Sequence, residues 1–304
     1  EIAEFMENRG YQGEVNELGA DHEGEDLIER AVRSNVARTY RELMKMSPGP
    51  VQELLSLYFR KFDIQSVKTV LREKLGGGGE DVDVMVLPTR ELDRDTLERF
   101  MEMEAEDILS EFHLKGFNGD VMDEVEDPSD LSEVEDALNI YYYTNLVEKA
   151  GEAGGQSRLF QRFLKLEAAL KNISLILRLN RKDYTYEDIK EKLIPVPSSL
   201  QVVDEDMLAR ADEEEMLKML RESELGEYLE EDLEIPQVET SMERYKLEQG
   251  VNMMHRDQLG VNPVLGYMVC KEAEARNLRM IARAKAEGLG EDFMERNLVG
   301  GVAG

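Results

Sequence analysis

Hydrophobic and polar residues follow a helical period along almost the whole chain. An early series of apolar residues falls near one face of a 3.6-residue turn and comprises Leu27, Ala31, Val32, Val36 and Leu43. The residues at 47–50, Ser-Pro-Gly-Pro, are typical of a helix stop and predict the end of this first long helix. The pattern therefore indicates a chain built mainly of amphipathic helices.

Further helices are predicted up to the end of the sequence. The same periodicity places them at residues 51–75, 95–113, 130–150, 157–179, 186–193, 204–220, 237–251, 262–287 and 291–298. A short apolar stretch at 82–87 alternates like a strand, but it is isolated, and we interpret it as an extended linker. Leu, Glu, Met, Ala and Arg recur throughout, so the predicted fold class is all-α.

One helical window occurs three times, at residues 66–72 (SVKTVLR), 172–178 (NISLILR) and 277–283 (NLRMIAR). Each begins with a small polar residue, has aliphatic residues one and four positions later, and ends in arginine. The arginines, Arg72, Arg178 and Arg283, are 106 and 105 residues apart. Three tyrosines upstream of the windows keep nearly the same period: Tyr40, Tyr143 and Tyr245. One period shared by the arginines and the tyrosines is harder to obtain by chance than either series alone.

The segments that follow the windows are also alike. Each long helix gives way to a break and an aliphatic piece, and in the first two copies this piece is followed by Pro88 and Pro195. A period near 105 residues exceeds that of ordinary solenoids. We therefore predict three similar helical domains, at residues 1–123, 124–226 and 227–304. Shared amphipathic spacing without a true repeat is the alternative.

Charge and composition narrow the possible functions. The chain has 304 residues, of which 41% are hydrophobic, so it can bury a core despite a net charge of −29. Such an acidic surface repels nucleic acids and anionic lipid headgroups, and no stretch of about 20 apolar residues is present to span a membrane. The acidic runs fit a solvated face or a protein from a salt-rich cytoplasm. The single cysteine, Cys270, excludes an internal disulfide.

Patterns that carry chemistry are largely missing. The glycines at 76–79 are followed by acidic residues, which would repel the phosphates of a nucleotide. No HExxH motif is present, and none of the three histidines has a glutamate three residues before it. We expect no catalytic residue, metal or cofactor, although carboxylate pairs such as Asp204 and Asp206 leave a metal-dependent helical enzyme as an alternative.

The C-terminal residues 262–289 point to a family. Asn-Pro-Val-Leu-Gly-Tyr at 262–267, Lys-Glu at 271–272 and the window at 277–283 resemble the end of the C subunits of archaeal A-type ATP synthases, whose V-type ATPase counterparts are the d subunits. The other two windows fit the resemblance less specifically. Ser66 stands where the other copies have asparagine, which puts an asparagine-specific role in the first copy in doubt.

The resemblance implies an all-α funnel of three similar domains with pseudo-threefold symmetry, and a further N-terminal helix before Glu1. It also implies a peripheral protein on the cytoplasmic face of the cell membrane, with no active site of its own. Its partners would be the central stalk and the proteolipid ring of an ATP synthase that moves H⁺ or Na⁺; a helical adaptor of another assembly is the alternative. We expect partner-docking or structural roles for Arg72, Arg178, Arg283, Asn172, Asn277 and Tyr267.

Overall fold

The computed structural model describes most of the chain, namely residues 2–47, 49–76, 92, 94–114, 117–152, 158–182, 184–197, 201–230, 235–256 and 260–300. Its α-helices in chain order are α1 Ile2–Met6, α2 Gln12–Leu18, α3 Gly24–Met46, α4 Gly49–Gly76, α5 Arg94–Glu102, α6 Ala105–Glu111, α7 Leu131–Glu152, α8 Arg158–Asn180, α9 Tyr186–Glu191, α10 Glu205–Leu208, α11 Glu213–Glu222, α12 Ile235–Arg256, α13 Asn262–Ala286 and α14 Glu291–Asn297. A π-helical turn lies at Glu7–Tyr11, and short 3₁₀ turns lie at Val121–Glu124 and Gly226–Tyr228. No strand occurs in these described ranges, and the predicted all-α class is confirmed.

The chain divides into two compact units. Unit 1 combines the two ends of the sequence, Glu1–Gln52 and Asp232–Gly304, and unit 2 is the continuous segment Glu53–Glu231. The division into three domains at residues 123 and 226, with its threefold arrangement, stays a prediction.

In unit 1, α13 packs against both α3 and α12. The contact with α12 depends on glycine, because a Cβ atom added to Gly266 would lie 2.6 Å from the carbonyl oxygen of Gly250 and 2.0 Å from a side-chain carbon of Met254. Any larger residue at this crossing would force the helices apart. Buried Leu265, Met268 and Val269 of α13 continue the core from this point.

In unit 2, α7 packs against α8. Tyr142 of α7 is buried and donates a hydrogen bond of 2.7 Å from its hydroxyl to the backbone carbonyl of Tyr58 in α4. The Tyr58 ring in turn meets Phe160 of α8 edge to face, with 6.4 Å between ring centroids. Three helices are thus joined through one aromatic cluster whose polar hydroxyl is satisfied.

Most long helices lie close to their predicted ranges, but α1 and α2 were not predicted, α12 extends to Arg256 beyond the predicted end at 251, and two predicted helices are each divided in two. The predicted helix at 95–113 breaks between α5 and α6, and the one at 204–220 breaks between α10 and α11. At the second break the Asp212 side chain accepts a hydrogen bond of 2.9 Å from the backbone N–H of Glu215, which starts a new helix. The predicted linker at 82–87 lies outside the described residues. Among the described helices, none is long and apolar enough to cross a membrane.

Candidate functional site

The three windows occupy equivalent places in the helical order. Residues 66–72 lie on α4, residues 172–178 on α8 and residues 277–283 on α13. The preceding long helices, α3, α7 and α12, carry the three landmark tyrosines, all of which are buried: Tyr40, Tyr143 and Tyr245. Each copy of the repeat is therefore a pair of consecutive long helices with the tyrosine on the first and the arginine on the second.

The asparagine that opens the second window holds a distant backbone segment. Asn172 is fully buried; its side-chain Nδ2 donates to the carbonyl of Ile194 at 2.8 Å, and its Oδ1 accepts from the Ile194 N–H at 2.8 Å. We call this pair of bonds an amide clasp. It joins α8 to the aliphatic piece that follows the helix, so the side chain satisfies both polar groups of one buried residue.

The same clasp recurs in the third window. Asn277 donates to the carbonyl of Val299 at 2.7 Å and accepts from the Val299 N–H at 2.9 Å. Each clasp joins residues 22 positions apart, so two copies of the window share this contact as well as their sequence.

The first window lacks the asparagine that makes this contact. Ser66 is buried, and its hydroxyl oxygen has no hydrogen-bond partner among the residues that the structure describes. The residue 22 positions later is Pro88, which lies outside the described residues and has no N–H to donate. A clasp with both bonds therefore cannot form between these two residues.

Glu205 adds a third contact to the clasp of the second repeat. Its Oε2 accepts a hydrogen bond of 2.8 Å from Asn172 Nδ2, and its side chain is buried. Burial raises the pKa of this carboxyl to about 7, with the neighbouring charges of Asp206 and Asp204 acting in the same direction and the hydrogen bond from Asn172 acting against it. The clasp thus includes a carboxyl group that can change its charge near neutral pH.

All three arginines pair with carboxylates on the first helix of a repeat. Arg72 donates to both oxygens of Glu135 on α7, at 2.5 and 2.9 Å. Arg178 donates to Asp136 at 2.5 Å, also on α7, and Arg283 lies 3.4 Å from a carboxylate oxygen of Glu25 on α3. The windows therefore place ion pairs at the ends of their aliphatic runs.

Arg283 also lies 3.8 Å from Glu29, which pairs more closely with Arg33. Tyr267, the remaining predicted site residue, has 47% of its surface exposed on α13. Whether these six residues dock a partner or only support the fold stays a prediction.

A buried lysine in unit 1 was not among the predicted site residues. Lys271 of α13 donates to the Tyr11 hydroxyl at 3.0 Å and to Glu274 at 2.7 Å, and the Tyr11 hydroxyl also bonds Glu274. In the sequence it stands at the end of an apolar stretch, directly after Cys270, and as part of the Lys-Glu pair at 271–272, but nothing in that pattern indicates that it is buried. The thiol of Cys270 is half-buried, and burial raises its pKa, so it is poorly suited to act as a nucleophile.

Asp204 and Asp206, the carboxylate pair for which a metal-dependent enzyme was considered as an alternative, have local hydrogen-bond partners. Asp204 accepts from the backbone N–H of Met207 at 2.9 Å as the cap of α10, and Asp206 accepts from the Tyr186 hydroxyl at 2.7 Å. Within the described part of the chain, no group of three or more His, Cys, Asp and Glu side chains is arranged to hold a metal ion.

Comparison with known proteins identifies the family. A family model described as ATP synthase (C/AC39) subunit matches residues 1–297. The chain is 29% identical to the C subunit of the A-type ATP synthase of Methanococcoides burtonii, over 98% of this chain and 85% of that protein. It is 30% identical to the protein of the same name from Halorubrum lacusprofundi and 29% identical to that from Haloferax volcanii, over 98% of this chain and 88% of each relative.

These matches cover nearly the whole chain and confirm the resemblance that residues 262–289 carry most specifically. The family is described as a subunit of ATP synthase, so the chain is a non-catalytic subunit rather than an enzyme in its own right. Because the family model matches residues 1–297, the chain belongs to the ATP synthase (C/AC39) subunit family.

Proposed function

We propose that this chain is the rotor subunit that couples the central stalk to the membrane proteolipid ring of an archaeal A-type ATP synthase, which moves H⁺ or Na⁺. Membership of the ATP synthase (C/AC39) subunit family and relatives named as C subunits of A-type ATP synthases support this assignment. The subunit would lie on the cytoplasmic face of the membrane and be peripheral to it.

The recurring amide clasp is the observation that best fits a mechanical role. A subunit that passes torque must resist deformation, and closely packed helices with satisfied buried polar groups are stiff. In two copies of the repeat the clasp holds the segment after the second long helix against that helix, through Asn172 and Asn277.

The predicted site residues divide into two sets under this proposal. Asn172 and Asn277 would keep each repeat rigid, whereas Arg72, Arg178, Arg283 and Tyr267 would contribute to partner surfaces. The exposure of Tyr267 and of the Arg283 side chain, 47% and 58%, supports a docking role for these two.

Removal of the subunit from its host tests the proposal. We expect inverted membrane vesicles from a deletion strain to lose ATP-driven ion uptake, and the reintroduced chain to restore it. An affinity-tagged chain should recover both stalk subunits and the proteolipid ring from detergent-solubilised membranes. Normal ion uptake in the deletion strain, or recovery of a different assembly without stalk and ring, would instead support a helical adaptor.

A further inference from the structure

Two arginines and the asparagine of the third clasp hold the backbone that follows α14. Arg244 of α12 donates to the carbonyls of residues 296 and 298, at 2.7 and 3.0 Å. Arg276 of α13 donates to the carbonyl of residue 297 at 3.3 Å, and Asn277 adds both bonds of its clasp to Val299. The end of α14 is therefore tied to both α12 and α13.

A glycine turn sets the position of the other end of α14. Gly288, with a φ of +71°, follows α13, and the N–H of Leu289 donates to the carbonyl of Ala284 at 2.7 Å, as in a common type of helix end. Although α14 is held at both ends, none of its seven residues is buried. The helix is thus kept in place without adding a buried side chain to the core.

The corresponding helix of the second repeat, α9, begins in a different way. Thr185 and Asp188 form a capping box, in which the N–H and the hydroxyl of Thr185 donate to the Asp188 carboxylate at 3.1 and 2.6 Å. Counted back from the residue that each clasp holds, the same two positions in the third repeat are Gly290 and Phe293. Gly290 has no side chain to cap the helix, and an aromatic residue stands where α9 has its capping carboxylate.

Apolar surface is exposed at this place in the third repeat. The side chain of Phe293 is 44% exposed, and that of Leu289, four residues earlier, is 38% exposed. The next position of the helix shows the same difference between the repeats, since Ile189 of α9 is fully buried and its counterpart Met294 is only partly buried. An exposed aromatic side chain on a firmly held element is typical of the anchor of a protein interface.

The charged residues around these apolar side chains are mainly acidic. Residues 287–297 contain four acidic residues and one basic residue, all of them exposed, namely Glu287, Glu291, Asp292, Glu295 and Arg296. A second copy of this chain would bring the same acidic residues together, and an anionic membrane would be repelled by them. Charge complementarity instead favours a partner that carries lysine or arginine beside its apolar side chains.

We propose that Leu289 and Phe293 are the apolar anchor of a docking surface for a basic amphipathic segment of another protein subunit. The two side chains pack against the apolar face of that segment, and the exposed carboxylates around them meet its lysines or arginines. Because only two large side chains form the anchor, the surface suits a short segment rather than a broad interface. The proposal rests on the proposed function only in that the partner would belong to the same ATP synthase.

Photocross-linking in the assembled complex tests the surface directly. The full chain with Phe293→p-benzoylphenylalanine is produced in the deletion strain, and the isolated membranes are irradiated. We expect an adduct with another protein subunit, and mass spectrometry should place the link within about one helical turn of a lysine or arginine. Met207 is the matched control position, because it is 60% exposed and follows three acidic residues. The same replacement there should give at least about fivefold less of this adduct.

A synthetic peptide with the sequence of the cross-linked segment measures the contribution of the apolar anchor. In fluorescence anisotropy with the full chain, Phe293→Ala should weaken binding at least about tenfold, and Met207→Ala less than about twofold.

The same assay measures the contribution of the acidic residues. Asp292→Lys with Glu295→Lys should weaken binding at least about fivefold. Glu213→Lys with Glu214→Lys makes the same charge change on exposed residues of α11 and should weaken it less than about twofold. Circular dichroism checks that each variant folds, and Asp292→Asn with Glu295→Gln replaces the reversal if it does not.

Several outcomes would overturn the docking surface. These are the absence of an adduct from a folded chain with the photoreactive residue at 293, an adduct only with lipid or with a second copy of this chain, or equal losses of affinity in the anchor and control variants. Each of them leaves the rotor proposal intact if the deletion strain has lost ion uptake. An adduct with a basic segment, combined with normal ion uptake in the deletion strain, would remove the rotor proposal alone.

Discussion

The amide clasps of the second and third repeats make the same two backbone bonds in different surroundings. Asn172 is fully buried and also donates to Glu205. Asn277 is partly exposed, and among the described residues its side-chain amide bonds Val299 alone. The comparison shows which part of the repeat the two copies share. They keep the bonds that fix the backbone, and they differ in burial and in the charged group nearby.

Loss of the clasp should produce the largest difference between the two repeats. Asn172→Leu keeps the approximate volume but leaves the polar backbone of Ile194 and the Glu205 carboxyl without their partner, at a cost of about 3 kcal/mol. Asn277→Leu should cost about 1–2 kcal/mol because its site is more accessible to water.

Urea unfolding followed by circular dichroism measures both losses. Asn8→Ala provides the control, since Asn8 is exposed and its side chain donates to the carbonyl of Glu4 one turn earlier. This change should alter stability by less than about 0.5 kcal/mol. Equal losses at Asn172 and Asn277 would show that burial does not distinguish the two clasps.

Protonation of Glu205 should make the second clasp alone sensitive to acid pH. Because its folded pKa is raised from 4.5 to about 7, the folded state binds more protons in this window, and stability falls as pH rises through it. The stabilising contribution is fully present below pH 4.5 and is lost above about pH 7. Glu205→Gln should remove this dependence and increase stability at pH 7.5 by about 1–3 kcal/mol.

Thermal melts at pH 4.5, 5.5, 6.5 and 7.5 test this prediction. The range stops near neutral pH because Lys68 has the opposite effect: burial lowers its pKa to about 7, so stability rises as pH increases above that value. Asn277→Leu in the same series is the control and should leave the slope unchanged. An unaltered slope in Glu205→Gln would exclude Glu205 as its source.

Replacement of the arginine should also lower the free energy of unfolding by different amounts in the second and third repeats, but these losses should be smaller than those from replacing the clasp asparagines. Arg178→Met removes the partner of Asp136, a buried carboxylate whose pKa burial already raises, and should cost about 1–2 kcal/mol. Arg283→Met breaks a more exposed contact at 3.4 Å and should cost less than about 0.5 kcal/mol. Denaturant unfolding of both variants would contradict this expectation if Arg283 proved the more important for stability.

A further effect, comparable in size to those of the arginines, concerns the residue that follows each clasp. Ile194 is followed by Pro195, whereas Val299 is followed by Gly300, whose φ of +76° disfavours other residues. Gly300→Ala should cost about 1 kcal/mol, since its Cβ would also approach Leu247 to 2.7 Å. Gly151→Ala, in an open helical site, should be neutral or slightly stabilising in the same thermal melt. Equal melting temperatures for the two variants would mean that the positive φ at residue 300 does not require glycine.

The helices and the repeat could be predicted because both depend on regular spacing. Apolar periodicity gave the long helices close to their observed ends, and the windows marked Asn172 and Asn277 before their bonds were known. The partners Ile194 and Val299 were not predicted, because the hydrogen bonds of one side chain to a distant backbone leave no periodic signal. Ser66 was recognised as different, and its buried hydroxyl shows a physical consequence of that difference.

Other features depended on contacts that a linear pattern does not show. The predicted helix at 204–220 continued across the cap at Asp212, because apolar spacing persists where a local hydrogen bond starts a new helix. Nothing in the sequence indicated that Lys68 and Lys271 are buried, and only the folded arrangement makes them so. Burial of a long charged side chain is decided by neighbours far away in sequence.

The construction of unit 1 from both ends of the chain has a consequence for synthesis. Helix α3 packs against α13, and the Tyr40 hydroxyl donates to Glu272, so these early residues acquire their partners only when the last long helix has emerged. At about 5–20 residues per second the delay is on the order of 10–40 s, during which all of unit 2 is translated. An apolar helix face that waits this long on the ribosome is a natural target for chaperones, and premature termination before α13 would leave it exposed.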